Sequence, residues 1–250
     1  MGPDAWPLFF LCAFVAEVIG SMAGFGAATI LTPVAALFLD IKTAIAVVTC
    51  FHLFGNVSRL VFFGRFIHWR TWALFGLTGV VCSLVGAAMT ARVPSPAVEL
   101  GLGVFLLLYV GGSSWWPARW LLPGTSWTLL GGGVASGFIA GLLGTGGAIR
   151  AACLMAFDLS RDAYLGTSAA LAVLVDGARL PVYLMEGFIP LQMGVGMAGL
   201  MGVAFAGVWM GRRLVQRISA VAFRRFVLIM LALMSIKLSW DGWHGLAALH

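Results

Sequence analysis

The chain has 250 residues, of which 61% are hydrophobic and only 10% charged, and its mean hydropathy is +1.02. That balance rules out a soluble domain of this size and marks an integral membrane protein. The formal charge of +6 comes mostly from arginines in the joints between apolar runs, so the basic excess reports orientation in a lipid bilayer and calls for no nucleic-acid partner.

Barrel strands would show a period-two alternation that is not present here, and backbone satisfaction in lipid then leaves helices. The first apolar run extends from Trp6 to Leu39, too long for one crossing of about 20 residues and too short for two. Gly20, Gly24 and Gly26 interrupt it within the stretch Gly20–Ala28. The spacing therefore predicts two short helices over 6–39 that meet at a Gly-rich turn inside the membrane. Apolar spans follow near 43–63, 71–91 and 97–116, and 117–126 reads as a linker. A second broken pair covers 127–157 around Gly141, Gly144, Gly146 and Gly147, with spans near 163–184, 189–211 and 221–239 after it. The N-terminal Met1, Gly2, Pro3 and Asp4 carry no positive charge in the side chains, so no cleaved signal peptide is expected.

The joints hold Asp40 and Lys42, Arg65 to Arg70, Arg92, Pro117 to Gly124, Asp158 to Asp162, Glu186 to Pro190, and Arg212 to Arg225. Trp6, Trp69, Trp72, Trp115, Trp116, Trp120, Trp127, Trp209, Trp240 and Trp243 lie at or near those joints, as an aromatic belt does. Cys12, Cys50, Cys82 and Cys153 fall inside predicted spans with no C-x-x-C spacing, which argues against disulfides and zinc. No metal and no cofactor is expected.

Residues 1–116 and 127–250 read as two copies of one pattern. Gly20 falls on Gly141, Gly26 on Gly147, Asn56 on Asp176, Arg59 on Arg179 and Phe63 on Tyr183. If each broken pair starts and ends on one side, each half crosses an odd number of times and the second copy is inverted. Loop cations then divide into Lys42 and Arg92 on one face against Arg65, Arg70, Arg119, Arg161, Arg212, Arg213, Arg217, Arg224 and Arg225 on the other, whereas parallel copies give a less one-sided split. The positive-inside rule prefers inversion, with both termini outside. The expected fold is thus all-α and membrane-embedded: two inverted repeats, each a Gly-broken pair plus three transmembrane helices, an architecture of secondary transporters.

Gly20–Ala28 with Pro33, and Gly137–Ala148, each followed by a helix with polar residues and an arginine, resemble the sulfite exporter TauE/SafE family, also called toluene sulfonate uptake permeases. The first copy departs from the family pattern in reading Gly24-Phe25-Gly26-Ala27-Ala28 where a run of glycines is common. The resemblance implies a multi-pass protein of the bacterial inner membrane that moves a small sulfur-containing anion such as sulfite, a sulfonate or sulfoacetate. A second copy of the chain is a candidate partner.

Polar residues inside the spans point to the same chemistry. Thr49, His52, Asn56 and Arg59 are spaced by three and four and form one stripe, as do Ser168, Ala172, Asp176, Arg179 and Tyr183. An arginine or aspartate at mid-span costs roughly 2.5–3.5 kcal/mol to insert, so such stripes face one another or a wet cavity. Arg179 has Asp176 three residues before it, while Arg59 has only neutral Asn56 there, so a bound anion is expected to neutralise Arg59. The expected substrate-binding residues are Arg59, Arg179, Asn56, His52, Ser168 and the turn glycines Gly26, Gly146 and Gly147, whose following half-helices offer N–H donors. Asp176 and Glu17 are the candidate proton-coupling groups. The bland alternatives are snorkelling of Arg59 and Arg179 to the headgroups, a packing role for His52, a capping or helix-contact role for Glu17, and Arg150 as the cytoplasmic end of the second turn. Secondary transport or facilitation is the leading function. An intramembrane enzyme lacks its H-E-x-x-H, Gly-x-Ser-x-Gly or paired carboxylates, and a non-transporting assembly partner has no positive feature here.

Overall fold

The computed structural model describes residues 5–23, 26–115, 122–190, 193–214 and 220–249. Met1 to Asp4, Gly24, Phe25, residues 116–121 with Trp116, Arg119 and Trp120, and Arg217 lie outside the described residues, as do the side chains of Trp115 and Arg224. Ten α-helices are described: α1 (Trp6–Ala23), α2 (Ala28–Ala35), α3 (Ile41–Phe63), α4 (Trp69–Arg92), α5 (Ser95–Trp115), α6 (Ser126–Leu143), α7 (Gly147–Met155), α8 (Arg161–Met185), α9 (Gly194–Leu214) and α10 (Ala220–Ala247). No strand occurs among the described residues. Six described segments are long and apolar enough to cross a bilayer: Ile41–Phe66, Trp69–Arg92, Ser95–Gly112, Ser126–Leu143, Arg161–Met185 and Gly194–Leu214. The protein is an all-helical, multi-pass membrane protein.

The polar joints act as caps. Asp40 accepts the Lys42 N–H at 3.0 Å, His68 accepts that of Thr71, Thr125 that of Thr128, and Ser160 that of Ala163. Each satisfies an N–H that the first helical turn leaves orphaned.

Both broken segments differ from a pair of short helices. α1 and α6 have 18 residues each, about 27 Å and close to a full crossing. α2 and α7 have only 8 and 9. The break comes late because the residues requiring a left-handed backbone, Gly26 (φ 87°) and Gly144 (φ 77°), follow a complete helix in each case.

Residue contacts fix how the chain runs. Phe9 of α1 meets Phe38, just before α3, at 5.7 Å between ring centroids, whereas Glu17 pairs with Arg59 near the far end of α3. α1 and α3 therefore run the same way, and α2 returns between them from Gly26, beside His52, toward the start of α3. α6 and α7 form the same hairpin: Gly124 meets the Ala156 carbonyl, Gly132 meets Cys153, and Ser136 donates to the Gly146 carbonyl at 2.8 Å. α3 and α8 are antiparallel, since Phe63 abuts Gly166, His52 meets Asp176, and Lys42 lies over Phe188.

Glycines set the closest helix approaches. Gly133, Gly137 and Gly141 of α6 press in turn against the carbonyls of Phe75, Gly79 and Ser83, which makes α4 and α6 parallel and leaves no room for a Cβ. Gly196, Gly199, Gly207 and Gly211 of α9 receive Trp6, Phe10, Glu17 and Ser21 of α1, also in parallel. α5 and α10 pack antiparallel, Gly103 on Ser239 and Gly242 on Leu100. The order long, short, long, long, long thus occurs twice, and α1 packs on α9 as α6 packs on α4. The larger core gathers Phe9, Leu31, Ile45, Phe51, Leu102 and Leu200, and a smaller one gathers Phe75, Leu129, Leu154 and Leu171.

These directions put Lys42 and Arg92 at one end of the bundle, where the Lys42 ammonium donates to the Ala91 carbonyl at 3.1 Å, and Arg65, Arg161 and Arg212 at the other. In a background without native cysteines, Lys42→Cys and Arg92→Cys are expected to react with an impermeant thiol reagent from the face opposite to Arg65→Cys and Arg212→Cys. Labelling of Arg92→Cys and Arg212→Cys from one face would contradict the antiparallel packing of α3 and α8.

Candidate functional site

The polar stripes of α3 and α8 meet at the centre of the bundle with α1 and α7 against them. Glu17, His52, Asn56, Arg59, Arg150, Ser168, Asp176 and Arg179 are all buried. Arg59 at 7% exposure and Arg179 at 1% do not reach the headgroups, so neither snorkels.

Arg59 has a carboxylate partner after all. Its guanidinium pairs with Glu17 of α1, and it donates to Ser21 at 3.0 Å and to the Asn56 side-chain carbonyl at 2.8 Å. The expectation of an unneutralised Arg59 is corrected accordingly: the partner lies 42 residues upstream, on the inward face of α1, beyond the reach of local spacing. Gly55 of α3 and Gly207 of α9 make the room, since a Cβ at either position would press on the Glu17 side chain. Glu17 is thus an ion-pair partner and not a cap.

Asp176 is shared. One oxygen accepts two N–H groups of Arg179, at 2.7 and 3.1 Å, and the other lies 2.7 Å from His52 Nδ1 on α3. Arg179 also donates to the Ala140 carbonyl, and the Tyr183 hydroxyl donates to that of Gly141. Thr90 adds hydrogen bonds of 3.0 Å to the carbonyls of Gly141 and Leu142. The carbonyls at the end of α6 are therefore tied down from α8 and α4, that of Ala140 in addition to the Gly144 N–H it already accepts. His52 is held by Asp176 on one side, while its Nε2, which has no protein partner, faces Gly26.

Of the two readings of Arg150, a site residue or the cytoplasmic end of the second turn, its burial in the cluster favours the first. The residue lies 5% exposed on α7, donates from Nε to Ser168 at 3.1 Å, and sits within electrostatic range of Asp176, Arg59 and Arg179. No carboxylate among the described residues is within ion-pair distance of it. Three guanidinium groups, Arg59, Arg150 and Arg179, thus face two carboxylates, Glu17 and Asp176. The surplus cation expected at Arg59 belongs to the cluster and is traceable to Arg150. The signal was in the sequence: Arg150 is an arginine within an apolar run, with the uncharged Thr29 at the corresponding place in the first half.

A cavity of about 10 Å³, large enough for roughly one water molecule, opens between α1, α3 and α8. Ser21, Asn56, Arg59 and Ser168 give its polar wall, and Gly20 and Leu165 its apolar one. Arg179, His52, Gly26, Gly146 and Gly147 do not line it. Gly26 admits the His52 ring, the Gly146 carbonyl accepts from Ser136, and Gly147 opens α7 as a buried residue. Within the cluster, Arg59 Nε and Glu17 Oε2 have no protein hydrogen-bond partner. The wall thus offers a guanidinium, two hydroxyls and an amide as hydrogen-bonding groups.

Two substitutions separate packing from charge. Gly26→Ala is expected to cost about 1–3 kcal/mol, because it forces a side chain into a left-handed backbone and against His52. Asp176→Asn leaves Arg179 buried without its carboxylate and is expected to cost about 3–5 kcal/mol. Thermal unfolding of the detergent-solubilised variants measures both, and wild-type stability of Asp176→Asn would mean that the Arg179 pair is not a stability element.

The family model described as sulfite exporter TauE/SafE matches residues 9–238, which takes in both glycine breaks and every residue of the buried cluster. No curated protein matches the chain. The chain belongs to the sulfite exporter TauE/SafE family, membrane transporters for sulfur-containing anions.

Proposed function

We propose that the protein is a secondary transporter for a small sulfur oxyanion such as sulfite, a sulfonate or sulfoacetate, bound near mid-depth between two inverted repeats in the bacterial inner membrane. The observation that carries this reading is the Arg59 cavity: a buried guanidinium with an unspent Nε, beside Ser21, Asn56 and Ser168, in a cluster with one cation too many. An electroneutral site would not favour an anion over water, whereas this one gains charge balance when an anion enters.

Arg59 is the group that grips the anion, with Ser168 presented by Arg150 across from it. Arg179 takes the second role of holding Asp176 and, through it, His52; the separation of Arg59 from Arg179 along the antiparallel α3–α8 pair, about three helical turns, favours this division over a two-arginine clamp. The inverted arrangement of residues 1–116 and 127–250 is supported by the paired hairpins, by the antiparallel α3 and α8, and by the matched packing of α1 on α9 and α6 on α4. The Arg-rich end then faces the cytoplasm.

Glu17 is the coupling group in this reading. It occupies on Arg59 the place an anion would take, so a proton on Glu17 releases Arg59 for substrate, and anion and proton move together. Asp176, tied to two partners, is the structural carboxylate.

Counterflow of 35S-labelled sulfite in proteoliposomes made from this protein alone tests the transport claim, with methanesulfonate and sulfoacetate as competitors. Exchange is expected with the wild type and not with Arg59→Ala, although that variant folds once Glu17→Gln is combined with it. Glu17→Gln alone is expected to lose stability without anion, regain it in sulfite, and exchange anion without response to an imposed pH gradient. Wild-type exchange by Arg59→Ala, or a full gradient response in Glu17→Gln, sinks the respective assignment.

A further inference from the structure

We propose that Arg161 and Arg212 form a second, outer anion site, which gathers small oxyanions at the mouth of the route ending on Arg59. It rests on the transporter reading. A second cavity, of about 30 Å³, shares Ser21, Arg59 and Leu165 with the first and continues it outward between Phe63 and Val208. Its outer end is made by Arg161, which opens α8, and Arg212, in the last turn of α9. Both are exposed, so a solvated ion reaches them first. The two cavities together are lined by three guanidinium groups and no carboxylate; Glu17 neutralises Arg59 from behind the wall, so the positive charge of the passage sits at its outer end.

Among the described residues neither outer arginine has a hydrogen-bond partner. Neither is in an ion pair among the described residues, although Asp162 is the next residue after Arg161. The Arg212 guanidinium lies with its carbon 4.8 Å from the centre of the Phe62 ring, a contact that fixes the group through its face and leaves its N–H fork for a ligand. A bare helix-end role explains a cation in the last turn of α9; it does not explain a second cation across a cavity that leads to a third.

The opposite end of the bundle lacks the pair. Arg92 ends α4 as Arg212 and Arg213 lie in the last turn of α9, but Ile41 corresponds to Arg161, and Lys42 is already committed to the Ala91 carbonyl and the Phe188 ring. Capture is therefore one-sided: the low half-saturating concentration belongs to the face that carries Arg161 and Arg212, and ionic strength weakens it because exposed charges are screened within about 10 Å.

The test begins with equilibrium binding of 35S-sulfite to the detergent-solubilised protein at about 20 and about 200 mM ionic strength. The wild type is expected to bind about tenfold more weakly at the higher value. Arg161→Gln combined with Arg212→Gln is expected to weaken binding about tenfold at low ionic strength and to match the wild type at high. In vesicles of defined orientation, the same variant raises the half-saturating sulfite from the Arg161 face and leaves that from the opposite face within about twofold. Wild-type affinity with wild-type salt dependence in the variant overturns the outer site, as does an equal loss at both ionic strengths or from both faces. A wild type that binds sulfite yet shows no counterflow refutes the transporter reading instead, and the binding comparison still decides the outer site.

Discussion

Charge neutrality inside a low-dielectric slab governs this molecule. An arginine in mid-membrane survives when a carboxylate or a carbonyl meets its N–H groups, and each of the two arginines on α3 and α8 has recruited such a partner by a different route. Arg59 reaches sideways to Glu17 on α1 and Ser21 one turn on. Arg179 uses its own helix neighbour Asp176 and the end of α6. These bonds draw the two broken hairpins against the central pair of helices, so the positions of α1 and α6 follow from the electrostatics of α3 and α8 as much as from apolar packing. Asp176 goes further and holds His52 across the bundle, which makes the α3–α8 crossing the joint on which both halves bear.

Apolar burial cannot bring helices together in lipid as it does in water, because the surroundings are as apolar as the side chains. Close backbone approach takes its place. α6 lies along α4 with glycine against carbonyl at Gly133, Gly137 and Gly141, and α9 lies along α1 with its glycines under Trp6, Phe10, Glu17 and Ser21. The same device serves chemistry at two points. Gly55 and Gly207 open the slot that Glu17 fills, and Gly26 opens the one beside His52. Glycine in this chain therefore has two uses, and at Gly207 one residue serves both.

Much of this was legible in residue order. Hydropathy marks the spans because lipid demands uninterrupted helices, and the capping residues Asp40, His68, Thr125 and Ser160 mark where they start. The matching of Asn56 and Arg59 with Asp176 and Arg179 identified the helices that carry the site, since polar residues this rare in a bilayer must meet. What residue order hid was partnership. Glu17 and Arg59 are 42 positions apart and His52 and Asp176 are 124 apart, and such pairs are set by which faces pack, not by local spacing. Arg150 stayed open between a site residue and the cytoplasmic end of the turn because residue order does not give the depth of the break, whereas α7 starts from a break deep in the bundle and carries it inward.

The two ends of the broken segments are not alike. After α6, the carbonyls of Ala140, Gly141 and Leu142 are bound by Arg179, Tyr183 and Thr90. After α1, Gly20 and Ser21 border open space that continues to Arg161 and Arg212. In the inverted-repeat reading proposed above, exchanging these local arrangements would seal one end and unseal the other without inventing a new conformation. On that reading each half would hold one member of a transport cycle, and the tied-down end of α6 would be the pattern for the shape of the end of α1 when the passage faces the other side.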